Sequence, residues 1–411
     1  MGWALAMDEA SLRGLLSIAL DGEPPIGPVA HGAQRQGTRI RRRRRARWVI
    51  GTGVAAAAIP LLAAGLGSNL SAPPGTGSPM PAAYVLTSGG LKAIGAVTGA
   101  PGKPLPVPVS DRVAITPDGR TAYVVTYPRV TPIFLPGGMR GKRIKAGHTP
   151  DEIAITPDGK TAYILSMNAD TVTPVTTATN TPGKPIKVGR RPRTIAITPD
   201  GKTAYVVNQG SGTVTPIQTA TNTPGKPIKV GLYPSGIAIT PDGKTVYVAN
   251  FESGTVTPIE TATNTPGKPI RVGPEPYAIA ITPDGRTALV VVLSADKVTP
   301  IATATNTPGP PIAAGYGPSA IAITPDSKTA YVLDQGRAFG TVTPISIASK
   351  TPGKPIKVGK DPSAIAITPD GKTAYVVNNG SGTVTPIATA TNTPGQPIKV
   401  GRDPYAIAIT P

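Results

Sequence analysis

One string, Ile-Thr-Pro-Asp, recurs along this chain, beginning at Ile115, Ile155, Ile197, Ile239, Ile281, Ile323 and Ile367; a final Ile-Thr-Pro begins at Ile409. The successive intervals are 40, 42, 42, 42, 42, 44 and 42 residues. A fixed period of this size restricts the fold more than composition does. Each unit is one small motif that must bury its apolar face against its neighbours.

The unit starting at Ile195 reads IAITPDGKTAYVVNQGSGTVTPIQTATNTPGKPIKVG and divides into four strand-like pieces, IAI, TAYVV, TVTPI and PIKV. Their residues alternate with a period of two, as a pleated strand requires. Pro199-Asp200-Gly201 fits a type I turn: Pro sets φ, Asp caps, and Gly accepts a left-handed φ. Ser327 replaces that Gly in one copy, at an expected local cost of about 1 kcal/mol. Four strands in about 42 residues, repeated radially, make a β-propeller. Ala82 to Ser110 supplies strands two to four without strand one, and the chain stops after PYAIAITP, which is strand one alone. Joining the two remnants gives an all-β propeller of eight blades over 82–411, in which neither remnant leaves an open sheet edge of its own. The alternative is a seven-bladed ring with both ends frayed. Pro216 and its equivalents lie inside strand three, where proline cannot donate to a ladder, so a bulge or a short pairing is expected there.

Tyr205-Val206-Val207-Asn208, YVVN again at Tyr375 and YVAN at Tyr247, resembles the motif that names the YVTN-repeat β-propeller family. PDGKTAYV and TVTPI…TATNTPGKPIKVG are similar to that family's repeat as well. The resemblance covers about 330 of 411 residues. It implies an exported or surface propeller, often seven-bladed and often without an assigned activity.

Ahead of the repeats, residues 1–47 read as a short basic cytoplasmic tail. Arg39, Arg41 to Arg45 and Arg47 precede an uncharged stretch, and the next charged residue is Lys92. Residues 48–67 form one expected transmembrane signal-anchor helix, with the arginines on the cytoplasmic side. A cleaved export signal and a basic nucleic-acid or nuclear-targeting patch are the competing readings. Residues 68–81, rich in Pro and Gly, read as a linker holding the propeller outside the cell membrane. The chain carries a formal +19, of which the part after residue 47 holds +14. Such a balance favours polyanionic neighbours without choosing among them.

Successive strands run up and down, so the one-to-two and three-to-four turns share one face, and the two-to-three loops and blade connections share the other. From strand three to the next ITP the spacing is 25 residues in all seven complete repeats; from ITP to strand three it is 15, 17, 17, 17, 17, 19 and 17. All length variation therefore sits in the two-to-three loop. The residues that differ between copies on that face form the candidate ligand surface: Arg129, His148, Arg190, Arg191, Arg193, Tyr233, Phe251, Glu252, Glu275, Tyr277, Tyr316, Arg337, Phe339, Lys360, Asp361, Arg402, Asp403 and Tyr405. Loops on a rigid scaffold are where binding residues concentrate. The bland alternative is that solvated loops drift freely.

The Asp of each ITPD sits a whole blade from the next, so turn capping explains it better than metal binding. The lysines of the PGKPIKVG segments blunt the outermost strand against edge pairing. With no cysteine and only His31 and His148, neither a nucleophile–base pair nor a His-rich metal site is indicated, and no cofactor motif is present. The expected function is a membrane-anchored, extracytoplasmic binding scaffold for a protein or envelope ligand. The runner-up is a binder of polyanions, wall polymer or nucleic acid; a lactonase-like or cofactor-dependent enzyme comes third.

Overall fold

Each repeat begins its structure at the Thr-Pro-Asp-Gly corner. In a computed structural model of the chain, Thr198 Oγ1 donates to Asp200 Oδ1 at 2.6 Å, and that oxygen also accepts the Lys202 N–H at 3.0 Å. The Thr203 N–H closes back on Thr198 Oγ1 at 3.0 Å. Gly201 takes φ +72°, and Ser327 is held at φ +60° in the one copy that lacks the glycine. Satisfying the donors that a tight reversal exposes fixes the hairpin of strands one and two in the seven blades that carry this turn.

The structure describes residues 82–95, 102–105, 107, 112–135, 137–336 and 339–410. The cytoplasmic tail, the signal-anchor and the linker read from residues 1–81 lie outside them, as does Arg337. Among the described residues no helix is long and apolar enough to cross a membrane.

The strands assemble into eight sheets. Blade 1 is composite: Ala82–Thr87 pairs on one side with Gly90–Gly95 and on the other with Ala406–Ile409, the last strand of the chain. The register of that closing pair is Ala83↔Ile409, Tyr84↔Ala408, Val85↔Ile407 and Leu86↔Ala406. Blade 2 runs from Val113 to Arg140. Blades 3 to 8 start at Pro150, Pro192, Pro234, Pro276, Pro318 and Pro362. The first strands of successive blades contact one another around the ring. The second strands are buried on both faces; in blade 4, Ala204, Tyr205, Val206 and Val207 are all fully covered. Each core cluster joins two adjacent blades, as where Tyr205 and Val207 pack with Ile237, Val246 and Val248.

The proline of strand three sits elsewhere than in a bulge. Thr213–Gln218 pairs in unbroken register with strand two, Pro216 opposite Tyr205. It is the outermost strand that gives way, splitting into Thr223–Pro224 and Ile228–Lys229. The Pro216 carbonyl accepts the Gly225 N–H at 2.7 Å, so the missing N–H of Pro216 faces the gap between the two pieces, where no acceptor is left waiting. A Cβ on Gly225 would lie 3.1 Å from Pro216 Cγ, so the glycine admits the ring. Register shifts occur instead at the start of strand one, between Pro192 and Thr194 and at the same place in blades 3, 5, 6, 7 and 8.

A second device ties blades together on the turn face. Tyr205 Oη donates to Asn264 Oδ1 of the next blade at 2.8 Å, and Tyr123, Tyr163, Tyr247 and Tyr331 do the same to Asn180, Asn222, Asn306 and Asn392. Burial, and secondarily the Asp of the adjacent turn, pushes each of these five phenols up to about 12. Blade 6 has Leu289 in place of the tyrosine, and blade 7 has Lys350 in place of the asparagine. Donor and acceptor are lost together at that one junction.

Candidate functional site

The opposite face is built by the connections and the two-to-three loops, which are hydrogen-bonded to each other. In six of the seven connections the residue before the inner-strand proline is left-handed: Arg191 (φ +50°), Tyr233 (+54°), Glu275 (+57°), Gly317 (+66°), Asp361 (+49°) and Asp403 (+48°), Thr149 before Pro150 being the exception. Non-glycine residues rarely hold that conformation, and they do so where surrounding bonds impose it. Here the Arg191 carbonyl accepts the Gln209 N–H and the Arg190 carbonyl accepts the Gly210 N–H, both at 3.0 Å; Tyr233 and Leu232 accept from Phe251 and Glu252 in the same way. Ser253 and Ser381 add side-chain acceptors for the Leu232 and Lys360 amides, both at 2.7 Å. The two variable segments therefore form one surface.

Asn208, Asn250 and Asn378 close strand two beneath that surface and are fully buried. Each donates its amide to two threonines of strand three; in blade 5, Asn250 Nδ2 reaches Thr255 and Thr257 Oγ1 at 3.2 and 2.9 Å. Asn250 and Asn378 also accept an N–H from the preceding connection, Gly231 or Gly359, at 3.0 Å. They anchor the loops and do not line the face. Asp334 holds the same place in blade 7. Its Oδ2 accepts from Thr343 at 2.6 Å and Thr341 at 3.3 Å, and its Oδ1 is left without a hydrogen bond. The Gly315 N–H faces the carboxyl without reaching bonding geometry at Oδ1. Burial pushes this carboxyl up to about 7.

Arg129, His148, Arg190, Arg191, Glu252, Lys360, Asp361, Arg402 and Asp403 are exposed on this face, whereas Arg193, Glu275, Tyr277 and Tyr405 are half-buried. The structure brings together two local pairs. The rings of Tyr233 and Phe251 pack with centroids 6.1 Å apart, Phe251 buried and Tyr233 exposed. Lys360 Nζ lies 6.0 Å from the centroid of Phe339, whose ring is 57% exposed, and Tyr316 is also exposed. Glu275 accepts from Ser294 Oγ within its own blade. No group of three His, Asp or Glu is placed to hold a metal among the described residues.

Toward the ring axis lies a feature that comparison of loops alone misses. Arg193, Tyr277 and Tyr405 share one repeat position, the residue after the inner-strand proline. The following position is Thr194, Gly236, Ala278, Ala320, Ala364 and Ala406 in six blades, but Glu152 in blade 3 and Arg112 in blade 2. Arg112 Nε donates to Glu152 Oε2 at 3.3 Å, with side chains only 18% and 16% exposed. Burial raises the Glu152 carboxyl, while Arg112 first and Arg193 second pull it back down. Asp151 next to it accepts the Met167 N–H at 2.9 Å. Charge at the inner strands is thus confined to blades 2 to 4, and small or hydroxylated residues with two tyrosines complete the ring. Aligning the repeats at this position would have exposed both residues in the sequence.

With this geometry in view, comparison with known proteins gives one family and several structures of similar fold. The family model described as "Lactonase, 7-bladed beta-propeller" matches residues 133–227 and 234–402. Among solved structures, Kuenenia stuttgartiensis hydrazine synthase is 28% identical over 58% of this chain and 76% of that one, with a TM-score of 0.52. Dihydro-heme d1 dehydrogenase NirN, in complex with DHE, is 15% identical over 98% of this chain and 86% of that one, TM-score 0.71. AztD from Citrobacter koseri is 12% identical over 80% and 97%, TM-score 0.62. At such identities the last two show the propeller fold alone. No curated protein matches the chain.

Proposed function

We propose that this chain, which belongs to the seven-bladed β-propeller lactonase family but closes its ring with eight blades, is a binding propeller. Its ligand surface is the loop face, centred on Arg190, Arg191 and Arg193 and the neighbouring Arg112–Glu152 pair. One observation carries the reading: loop-length variation, inner-strand charge and every exposed aromatic but Phe134 fall on that face, while the opposite face repeats one hydrogen-bonded turn in blades 2 to 8. A scaffold that holds strained left-handed residues at the same loop position in five blades presents them in fixed geometry. Residues 48–67 anchor the propeller to the cell membrane with the domain outside, in keeping with the YVVN motifs and the surface propellers they resemble.

The test is capture from solubilised envelopes by the full chain. Wild type should retain a partner that R190A/R191A/R193A loses and that a turn-face control, K160A/K202A/K244A, keeps. Equal retention by all three proteins contradicts the proposal.

The family match and Glu152 favour a second reading, hydrolysis of a lactone. A carboxylate raised by burial and held beside an arginine suits a general base. Turnover of a simple δ-lactone that E152Q abolishes would establish it; turnover unchanged in E152Q, or none in wild type, rules out this role for Glu152.

A further inference from the structure

We propose that the outer rim of the propeller is a docking belt for a linear, flexible polyanion. Residues 82–411 contain 32 Lys and Arg against 18 Asp and Glu. Fourteen of these cations lie on the segments that form the outermost strand and its flanks, from Lys103 round to Lys399, and all fourteen are exposed. The remaining cations and the acids are equal in number, so the domain's whole excess charge sits on the rim.

The arrangement follows from the broken outer strand. Ile228 is buried and Lys229 points outward, while Lys226 lies in the gap opposite Pro216. Lys184 and Lys187 repeat this in blade 3, and Lys268 and Arg271 in blade 5. Among the described residues none of the rim cations is in an ion pair. The turn-face lysines differ, since Lys160, Lys202, Lys244, Lys328 and Lys372 each stand 3.5 to 3.9 Å from the Asp of their own turn. Turn-face charge is neutralised locally; rim charge is not.

Blade 6 interrupts the belt. It has Pro310 and Ala313 where its neighbours have Lys268 and Arg271 or Lys354 and Lys357, yet Ile312–Ala313 pairs as the other blades do. The lysines are therefore not needed to form that strand. The charged arc runs from blade 7 through blades 8 and 1 to blade 5. Cations spread around a circumference cannot all meet a flat anionic surface, but a flexible chain can follow the curve, releasing counterions wherever a phosphate is neutralised.

Long-chain inorganic polyphosphate is the probe, titrated against the full chain at several salt concentrations. Rim variant K184Q/K187Q/K226Q/K229Q and turn-face control K160Q/K202Q/K244Q/K372Q remove the same charge, and both should unfold at the wild-type temperature because the side chains are exposed. The rim variant should bind about tenfold more weakly or worse, with its log–log salt slope reduced by roughly 0.7 for each phosphate that is no longer neutralised; the control should stay within about twofold, its lysines being already paired. Equal weakening by both variants overturns the proposal, as does undiminished binding by the rim variant, which would place the polyanion on the N-terminal arginines. Retention on anionic lipid vesicles without retention of polyphosphate also overturns it, in favour of a membrane surface.

Discussion

Replacing Asp334 by asparagine should stabilise the protein, and only above mildly acidic pH. Strand two of blades 4, 5 and 8 ends in Asn, whose Nδ2 donates to two threonine hydroxyls. Asp334 is equally buried and faces Thr341 and Thr343 with an oxygen, leaving its second oxygen unpartnered. Protonated, the carboxyl is close to an asparagine in shape and in its ability to donate. Ionised, it is a buried charge with no cation beside it. Burial is the main cause of the rise to about 7, with Thr343, Thr341 and the Gly315 N–H opposing it in that order and Asp296 adding slightly. The folded chain thus holds this proton where the unfolded chain, near the ordinary 3.8, has released it. Stability is then greatest below the unfolded value, falls as pH rises toward 7, and is flat beyond. Three units at about 1.4 kcal/mol each set a ceiling of about 4 kcal/mol; relaxation and water penetration reduce the expectation to on the order of 2 kcal/mol. Thermal unfolding of wild type and D334N at pH 3, 5 and 8 should show a gap that is near zero at pH 3, below the ordinary 3.8 of the unfolded carboxyl, and that widens as pH rises toward 7. Glu152, also raised by burial, contributes equally to both proteins and drops out of the difference. A pH-independent gap, or a variant less stable at pH 8, refutes the reasoning.

Three other outcomes follow from the same packing and hydrogen bonds. Tyr205→Phe removes the bond to Asn264 and should cost about 1 kcal/mol in chemical denaturation. Leu289→Tyr with Lys350→Asn should install the missing latch between blades 6 and 7, the double variant being more stable than either single one by about 0.5–1.5 kcal/mol in a mutant cycle. Gly225→Ala should destabilise by about 1 kcal/mol, because its Cβ meets Pro216 Cγ at 3.1 Å and the outer strand must shift.

Much of this architecture is legible in the repeat. Complementary remnants at the two ends call for a shared blade, and Ala83–Leu86 does pair with Ala406–Ile409. The turn chemistry of Pro199-Asp200-Gly201 follows from residue type. Pro216 is harder, since a strand read in isolation does not say which side its missing donor faces. Here it faces the outer strand, which reads as one piece in the sequence and is two in the fold. The Tyr205–Asn264 bond joins residues 59 apart in different blades and leaves no local pattern. Arg112 and Glu152 escape a comparison of loops because they begin inner strands, whose residues at that position are otherwise small.

Closure of the ring is the claim on which the assignment of faces rests. The chain has no cysteine, so V85C/I407C would introduce a lone pair of thiols at positions opposite each other in the closing register, with both side chains in one apolar cluster. Under mild oxidation of the native protein they should form an intramolecular disulfide, seen as faster migration on a non-reducing gel and as a raised unfolding temperature. Thiols that stay free until the protein is denatured, or that cross-link only between molecules, would show that the two ends do not share a blade.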